Sequence, residues 1–234
     1  GIDSSTGLSM NIPFLAPLGE MSTPITTIHT LAVHSGYEEQ FVKDWINNAF
    51  SLGEFDYLKH DPVLDLMAAD DIQNKSTQDS LNAYLAHVQI HLGLDLLSYT
   101  LKNILPDISD DTIEYNINLM NAYTTALFQQ SETTPLETLL YNSIHNTSNH
   151  LHKEEGQDVQ NILELATKAS ADANLELINR LDKIVTQGIE ENYSPKDIVA
   201  TINNLKIYVE TDYREKVESL SHDLHLITDY NTED

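Results

Sequence analysis

The amino-acid sequence predicts an all-α protein, a multi-helix bundle arranged around one central helix that is apolar on two faces. Three observations support this fold class. Helix-start signals recur along the chain, apolar residues recur at spacings of three and four, and the alternating pattern of a β-strand is missing. The 234 residues include only eight glycines, which leaves little material for hairpin turns.

The helix-start signals consist of a capping residue followed directly by proline. Proline suits the first position of a helix, because the amide hydrogen that it lacks would have no partner there, and the preceding oxygen side chain accepts a hydrogen bond from the exposed amides. The sequence contains four such pairs, at Thr23-Pro24, Asp61-Pro62, Thr134-Pro135 and Ser194-Pro195. A fifth helix is predicted to begin at residues 109–111, after Pro106 ends the segment before it.

Apolar periodicity places the helices in order along the chain. Short helices are expected at residues 24–34, 38–50 and 62–69, and longer ones after residue 109, at 159–185 and over the last apolar stripe, from 213 to 227. The segment 77–105 has two apolar stripes, with Leu81, Leu85, Val88, Leu92 and Leu96 on one face and Leu94, Leu97, Leu101 and Ile104 on the other. A helix with two apolar faces belongs in the middle of a bundle.

The predicted domain organisation is simple. Residues 1–20, with Pro13, Pro17 and Gly19, are expected to form an N-terminal tether or linker. Residues 21–234 are expected to form a single all-helical domain, because neither half alone has many large apolar residues. The alternative is a subdivision within the polar run at residues 146–156.

The chain is strongly acidic. Twelve lysines and arginines against 37 aspartates and glutamates give a formal net charge of −25. This charge repels phosphate backbones and anionic lipid, so nucleic-acid binding and membrane-surface binding are the first functions to be excluded. Every apolar run is also too short to cross a bilayer, and no direct membrane insertion of this domain is expected. Cations, basic surfaces and neutral ligands remain as partners, among them a protein or cell-surface partner, unless the charge serves solubility alone.

The sequence contains no cysteine, which excludes disulfide bonds, thiolate zinc sites and a cysteine nucleophile. The absence of thiols is also typical of a bacterial protein outside the cytoplasm, where stray thiols would oxidise. Residues 1–7 have neither the basic start nor the apolar stretch of a targeting segment. We interpret them as a mature or engineered start, with Ile2 onward a tether left after signal removal. We therefore expect an extracytoplasmic protein, periplasmic or at the cell surface, anchored through the removed N-terminal signal.

Residues 22–66 contain an ordered series of helix-punctuation motifs. These are Thr23, Pro24, Ile25, Thr26, Thr27 and Ile28, then Gly36, Glu38 and Glu39, then Leu52 and Gly53, and finally Asp61 and Pro62. The series resembles a helical module of large bacterial surface lipoproteins and adhesin-like proteins, over about a fifth of the chain. The resemblance implies a surface-exposed or periplasmic anchored protein with no established reaction, and it implies no catalytic residues.

His87 and His91 are the most suggestive candidates for metal binding. They are four residues apart in HVQIH on a predicted helix, so both rings project from one side, and Asp95 lies one turn further along. No glutamate lies between the histidines to act as the base of a zinc protease. The alternative is that these are half-buried histidines that form hydrogen bonds with neighbouring helices.

Aspartates are dense around the short helix predicted at residues 62–69. Calcium takes six to eight oxygen ligands, and this density could supply several of them. The candidate residues are Asp56, Asp61, Asp65, Asp70 and Asp71. The spacing is not that of an EF-hand loop, and the alternative is a set of helix caps on a solvated face.

The sequence favours a noncatalytic interaction or structural domain of a bacterial cell-surface or periplasmic lipoprotein. It has no GxSxG nucleophile motif and no glycine-rich phosphate loop. Two alternatives stay open. One is a metal-dependent extracytoplasmic protein, a hydrolase or a metal carrier, that uses His87 and His91 with a divalent metal ion. The other is a calcium-stabilised adhesion module.

Overall fold

The computed structural model describes residues 13–105, 113–151 and 156–230, and these residues form an all-α bundle without a β-strand. The described elements are α1 (Pro24–His34), α2 (Glu39–Ala49), α3 (Pro62–Ala68), α4 (Lys75–Ile104), α5 (Ile113–Phe128), α6 (Leu136–His145), a 3₁₀ helix (Asn146–His150), α7 (Gln157–Glu190) and α8 (Pro195–Tyr230). The predicted fold class is confirmed. Within the described ranges, no helix combines the length and the apolar character that a membrane span requires.

Three of the predicted helix starts form as the cap-proline pairs indicated. At α1, the Thr23 hydroxyl accepts a hydrogen bond from the Thr26 amide at 3.2 Å, and the Thr26 hydroxyl accepts one from the Thr23 amide at 2.7 Å. Asp61 accepts hydrogen bonds from the first amides of α3. At α8, the hydroxyl oxygen of Ser194 accepts a hydrogen bond from the Asp197 amide at 3.2 Å. Each cap satisfies amides that have no partner inside the helix.

Two other helix starts differ from the prediction or lie outside the described residues. Helix α6 begins at Leu136, one residue later than Thr134-Pro135 predicts, and no side chain caps it. Pro135 occupies the cap position, with an extended ψ of 135°. The start predicted at residues 109–111 lies outside the described residues, and α5 is described from Ile113.

Helix α4 is the central, two-faced helix that the sequence predicts. It packs against α1, α3, α6, α7 and α8, and more lightly against α5. One stripe belongs to the main hydrophobic cluster, through Leu94, Leu97, Leu101 and Ile104. Most of the other stripe belongs to a second cluster with α7 and α8, through Leu81, Leu85, Val88 and Leu92. The bundle is therefore built on both sides of α4.

The described parts of the two predicted linkers pack against the helices. Of the predicted tether, residues 1–12 lie outside the described residues, whereas Phe14 and Leu15 pack against the main cluster. The Leu15 amide donates to the Thr27 hydroxyl oxygen at 2.7 Å. In the run 146–156, Thr147 is buried in the 3₁₀ helix and Leu151 is 4% exposed. Residues on both sides of that run belong to the main cluster.

Candidate functional site

The predicted histidine pair lies one turn apart on α4. His91 is buried, and its ring meets the ring of Phe14 edge to face, with 5.3 Å between the ring centroids. The Nε2 atom of His87 is buried and has no hydrogen-bond partner in the part of the chain that the structure describes. Burial, with a smaller contribution from the charge of His91, lowers the pKa of His87 to about 3. The His87 ring is therefore neutral at pH 7.

Asp95, the third predicted metal ligand, faces α8. It is 5% exposed, and its Oδ2 atom lies 3.6 Å from Nη2 of Arg214. Burial raises the pKa of Asp95, and the positive charges of Arg214 and Lys102 partly offset that effect. Across residues 13–105, 113–151 and 156–230, no three histidine, aspartate or glutamate side chains form a group that could hold a metal ion. The histidine metal site stays a prediction.

Three of the five predicted calcium ligands accept hydrogen bonds from nearby backbone amides. Asp61, Asp71 and Asp56 each accept a hydrogen bond from the amide two residues along the chain, at 2.8, 2.9 and 3.2 Å. Such short-range bonds to aspartate are typical of helix caps and turns. These side chains therefore already have a structural role in the fold.

The structure gathers four of the five aspartates along two shallow depressions beside α3 and the start of α4. A depression of about 460 Å³ is bordered by Asp56 and Asp65, and one of about 420 Å³ by Asp65, Asp70 and Asp71. Basic side chains accompany two of these carboxylates: Lys59 lies 3.6 Å from Asp56, and the His60 ring 3.6 Å from Asp65. The calcium site stays a prediction, and Asp61 borders neither depression.

A groove of about 750 Å³ lies between α4 and α7. Residues 48–51, at the end of α2, and residues 132–136, which run from the loop after α5 to the first residue of α6, complete its lining. Helix α4 contributes Asn82, Leu85 and Gln89, and α7 contributes Asp182, Val185 and Thr186. The size is within the range of ligand pockets in proteins. Segments from four parts of the chain thus form one open surface.

Gln89 is the most buried of the residues that line the groove. It is 1% exposed, and its carbonyl oxygen Oε1 has no hydrogen-bond partner among the described residues. Leaving a buried carbonyl without a partner costs about 1–3 kcal/mol. Asn82, one of its neighbours on the groove wall, donates to the Ser51 carbonyl at 2.9 Å and holds the turn after α2 against α4. The carbonyl oxygen of Gln89 is thus enclosed by the protein, and it is not part of the open surface of the groove.

The charged side chains that line the groove are acidic. They are Asp182 on α7 and Glu132 before α6. Burial, together with the negative charge of Glu137, raises the pKa of Asp182. Among the described residues, no lysine, arginine or histidine lines the groove. Its chemistry therefore suits a positively charged group that donates hydrogen bonds.

Sequence analysis did not identify this groove. Its two carboxylates cannot be distinguished by pattern from the 37 acidic residues of the chain. Gln89 offered one signal, because it lies in HVQIH on a helix predicted to be buried on two faces. A polar amide buried there needs a hydrogen-bond partner, and such a residue is worth testing as part of a site.

No family model, no curated protein and no solved structure matches this chain. The resemblance of residues 22–66 to modules of surface lipoproteins and adhesin-like proteins stays a prediction. Function is therefore inferred from the charge, the groove and the side chains of the chain itself.

Proposed function

We propose that this chain is a noncatalytic helical interaction domain of a bacterial cell-surface or periplasmic lipoprotein, and that it binds a partner protein through the groove between α4 and α7. The observation that carries the proposal is an open groove of about 750 Å³ that combines apolar side chains with two carboxylates and, among the described residues, has no basic side chain in its lining.

The composition of the groove supports protein binding. Its apolar lining comes from Ala49, Phe50, Leu85, Leu136 and Val185, and asparagine, glutamine, serine and threonine side chains line it as well. A mixed apolar and polar lining is common at protein interfaces. The acidic lining adds selectivity for partners with basic surfaces.

The extracytoplasmic location in the proposal is supported by the sequence. A chain of 234 residues without a single cysteine suits an oxidising compartment. A net charge of −25 favours solubility and repels nucleic acid. Fractionation of the producing cells tests this part, and recovery of the protein with the cytoplasmic fraction would contradict it.

Site-specific photocrosslinking in the producing cells tests the groove. A benzophenone amino acid replaces Thr186, which is an exposed residue of the groove, and in a separate variant Thr133 at its opposite border. The matched control is Thr201, an exposed threonine of α8 that does not line the groove. We expect one discrete crosslinked protein from both groove positions and none from the control.

Competition by unlabelled protein shows whether the crosslink depends on binding at the groove. Unlabelled protein added to permeabilised cells should suppress the crosslink, because it occupies the same partner. Unlabelled protein with Val185→Lys, which replaces an apolar lining residue by a cation, should suppress it less. Equal crosslinking from the groove positions and from Thr201, or no crosslink from any of them, would overturn the proposal.

A further inference from the structure

An aromatic cluster joins α2 to the end of α5, and one of its rings lies at the surface. The rings of Tyr37 and Phe41 are stacked, with 6.0 Å between their centroids and 16° between their planes. Phe128 contacts both rings, with centroid distances of 5.2 Å to Tyr37 and 6.5 Å to Phe41. It also stacks on the buried Trp45, with 4.4 Å between the centroids. Phe41 is nevertheless 45% exposed, so a buried aromatic base supports a ring that is open to solvent.

Two carboxylates lie beside this ring on the surface of α2. Glu38 precedes Phe41 by three residues and Asp44 follows it by three, and both are exposed. At about 100° per residue, each lies about 60° from Phe41 around the helix, one turn before or after it. Side chains at this spacing have about 5–6 Å between their Cβ atoms. Glu38 follows the helical path, because its carbonyl oxygen accepts a hydrogen bond from the Val42 amide at 3.0 Å.

The lysine of α2 does not compensate these two charges. Lys43 lies on the opposite side of the helix from the exposed ring, about 160° around it, and its Nζ atom is 2.7 Å from Oε1 of Glu39. Asp44 accepts a hydrogen bond from the neutral amide of Gln40 at 2.9 Å. The ion pairs formed by the described residues include neither Glu38 nor Asp44. Negative charge therefore accompanies the exposed ring.

The exposed ring lies on the same side of α2 as part of the groove lining. Asn48, which lines the groove, follows Phe41 by about two helical turns, at about 20° around the helix and about 10 Å along it. Glu132, on the other side of the groove, follows Phe128 by four residues. A protein interface of standard size covers about 800 Å² of each partner. A protein that occupies the groove therefore also covers the ring of Phe41.

An aromatic ring beside carboxylates selects a planar cation. A cation within about 6 Å of a ring centroid is attracted by the negative face of the ring. A guanidinium group stacks on such a ring and also donates two parallel hydrogen bonds to a carboxylate, whereas an ammonium group is a compact charge that keeps more of its hydration. A neutral group leaves the carboxylates uncompensated. The chemistry of this surface therefore matches arginine.

We propose that the Phe41 surface, formed by Phe41, Glu38 and Asp44, binds an arginine side chain of the partner protein, with the guanidinium group stacked on the ring and donating to the carboxylates. This inference rests on the proposed function, because the arginine belongs to the protein that occupies the groove. Charge complementarity and the position of the ring beside the groove together identify this occupant.

Fluorine NMR of the full chain tests the chemistry of the Phe41 surface. The five phenylalanines are replaced by 4-fluorophenylalanine, and the signal of Phe41 is assigned through its loss in Phe41→Leu. With Nα-acetyl-arginine N-methylamide as the probe, at constant ionic strength, we expect a saturable shift of this signal with a Kd of roughly 1–10 mM. The citrulline analogue has nearly the same shape without the charge and should bind at least about tenfold more weakly. The lysine analogue should bind about threefold more weakly, because its ammonium group does not stack on the ring.

Three substitutions and one matched control locate the binding. Glu38→Gln and Asp44→Asn should each weaken the arginine probe about threefold, as expected for an exposed ion pair. Phe41→Leu, followed on nitrogen-15 backbone signals of α2, should weaken it about threefold through loss of the ring. Glu39→Gln changes the charge of the same helix by the same amount on the side opposite the ring, and should leave the affinity unchanged.

Each contrary outcome overturns the arginine assignment. These outcomes are equal binding of the arginine and citrulline probes, tighter binding of the lysine probe, and equal effects of Glu38→Gln and Glu39→Gln. N-acetylglucosamine that shifts the Phe41 signal at lower concentrations than the arginine probe would identify the ring as a platform for a sugar, and would also overturn it.

Crosslinking in the producing cells separates this inference from the proposed function. The benzophenone amino acid replaces Gln40, an exposed neighbour of Phe41, and the three residues of the Phe41 surface are retained. We expect the same crosslinked protein as from Thr186. Arginines of that protein beside the new crosslink are then changed to glutamine, and loss of the crosslink supports the inference. Unchanged crosslinking after removal of every such arginine overturns it. Crosslinking from Thr186 but not from position 40 also overturns it, whereas the proposed interaction domain then stands.

Discussion

Replacing His87 with leucine is expected to flatten the dependence of stability on pH. The pKa of His87 falls from 6.5 to about 3 in the folded protein, so between these values the unfolded chain binds one proton more than the folded chain. The stability that the neutral ring contributes to the folded protein is therefore fully present above about pH 6.5, and it is lost as the pH falls toward 3. Each pH unit in this window lowers the free energy of unfolding by up to about 1.4 kcal/mol, or about 5 kcal/mol in total.

Urea unfolding followed by circular dichroism measures this contribution. Between about pH 6.5 and pH 5, wild type should lose about 2 kcal/mol more of its free energy of unfolding than His87→Leu. At pH 7 the two should agree within about 1 kcal/mol, because leucine replaces a ring whose buried Nε2 has no partner among the described residues. His29, whose pKa burial also lowers, is retained in both proteins and cancels in the difference.

A control substitution shows whether the effect comes from the burial of His87 or from the loss of any histidine. His34→Gln removes an exposed histidine from the last turn of α1 and should leave the wild-type pH profile unchanged. Parallel profiles of wild type and His87→Leu from pH 6.5 to pH 5 would refute the reasoning, since they would mean that the ring takes up a proton equally in both states. If the leucine variant does not fold, His87→Gln permits the same comparison.

Three further predictions concern packing, a buried polar cluster and charge. Gly93→Leu should lower the free energy of unfolding by about 1–3 kcal/mol in urea titrations, since even a Cβ atom there would lie 2.9 Å from Ile144, and Gly93→Ala should cost less; equal stability of all three proteins would contradict this. Tyr213→Phe should lower the free energy of unfolding by about 1–2 kcal/mol in the same assay, because the Tyr213 hydroxyl lies 2.7 Å from that of Thr100 and 3.2 Å from that of Ser170 in a buried cluster. An unchanged unfolding midpoint would mean that these hydrogen bonds do not stabilise the fold. Raising sodium chloride from about 0.05 to about 0.5 M should raise Tm in a thermal melt, because screening weakens the repulsion between acidic residues in a chain of net charge −25. A Tm that falls with salt would show that this repulsion does not limit stability.

The helix starts show what can be predicted from a few neighbouring residues. Thr23 and Asp61 cap α1 and α3 because a cap requires only a side-chain oxygen and amides within three residues. The same local reasoning was wrong by one residue at α6, where Pro135 takes the cap position in an extended conformation. The residue before a proline is itself biased to extended backbone, so the helix could begin on either side of Pro135.

The candidate site was predictable only in part. The pair of His87 and His91 on one side of a helix follows from a spacing of four residues. The sequence does not show that Phe14 packs on His91, nor that Asp95 faces Arg214 on α8, more than a hundred positions along the chain. Which groups meet across helices depends on packing, and packing determines burial and therefore the pKa values.

The sequence by itself determined the all-α class, the bounds of the first four helices to within two residues and the two-faced character of α4, because caps and apolar periodicity act within a few residues. Only the tertiary structure decided where a functional surface lies. The groove brings Asp182 of α7 and Glu132, which precedes α6, to one surface with Leu85 of α4. An acidic residue or a buried amide acquires its chemistry from neighbours that are distant in sequence.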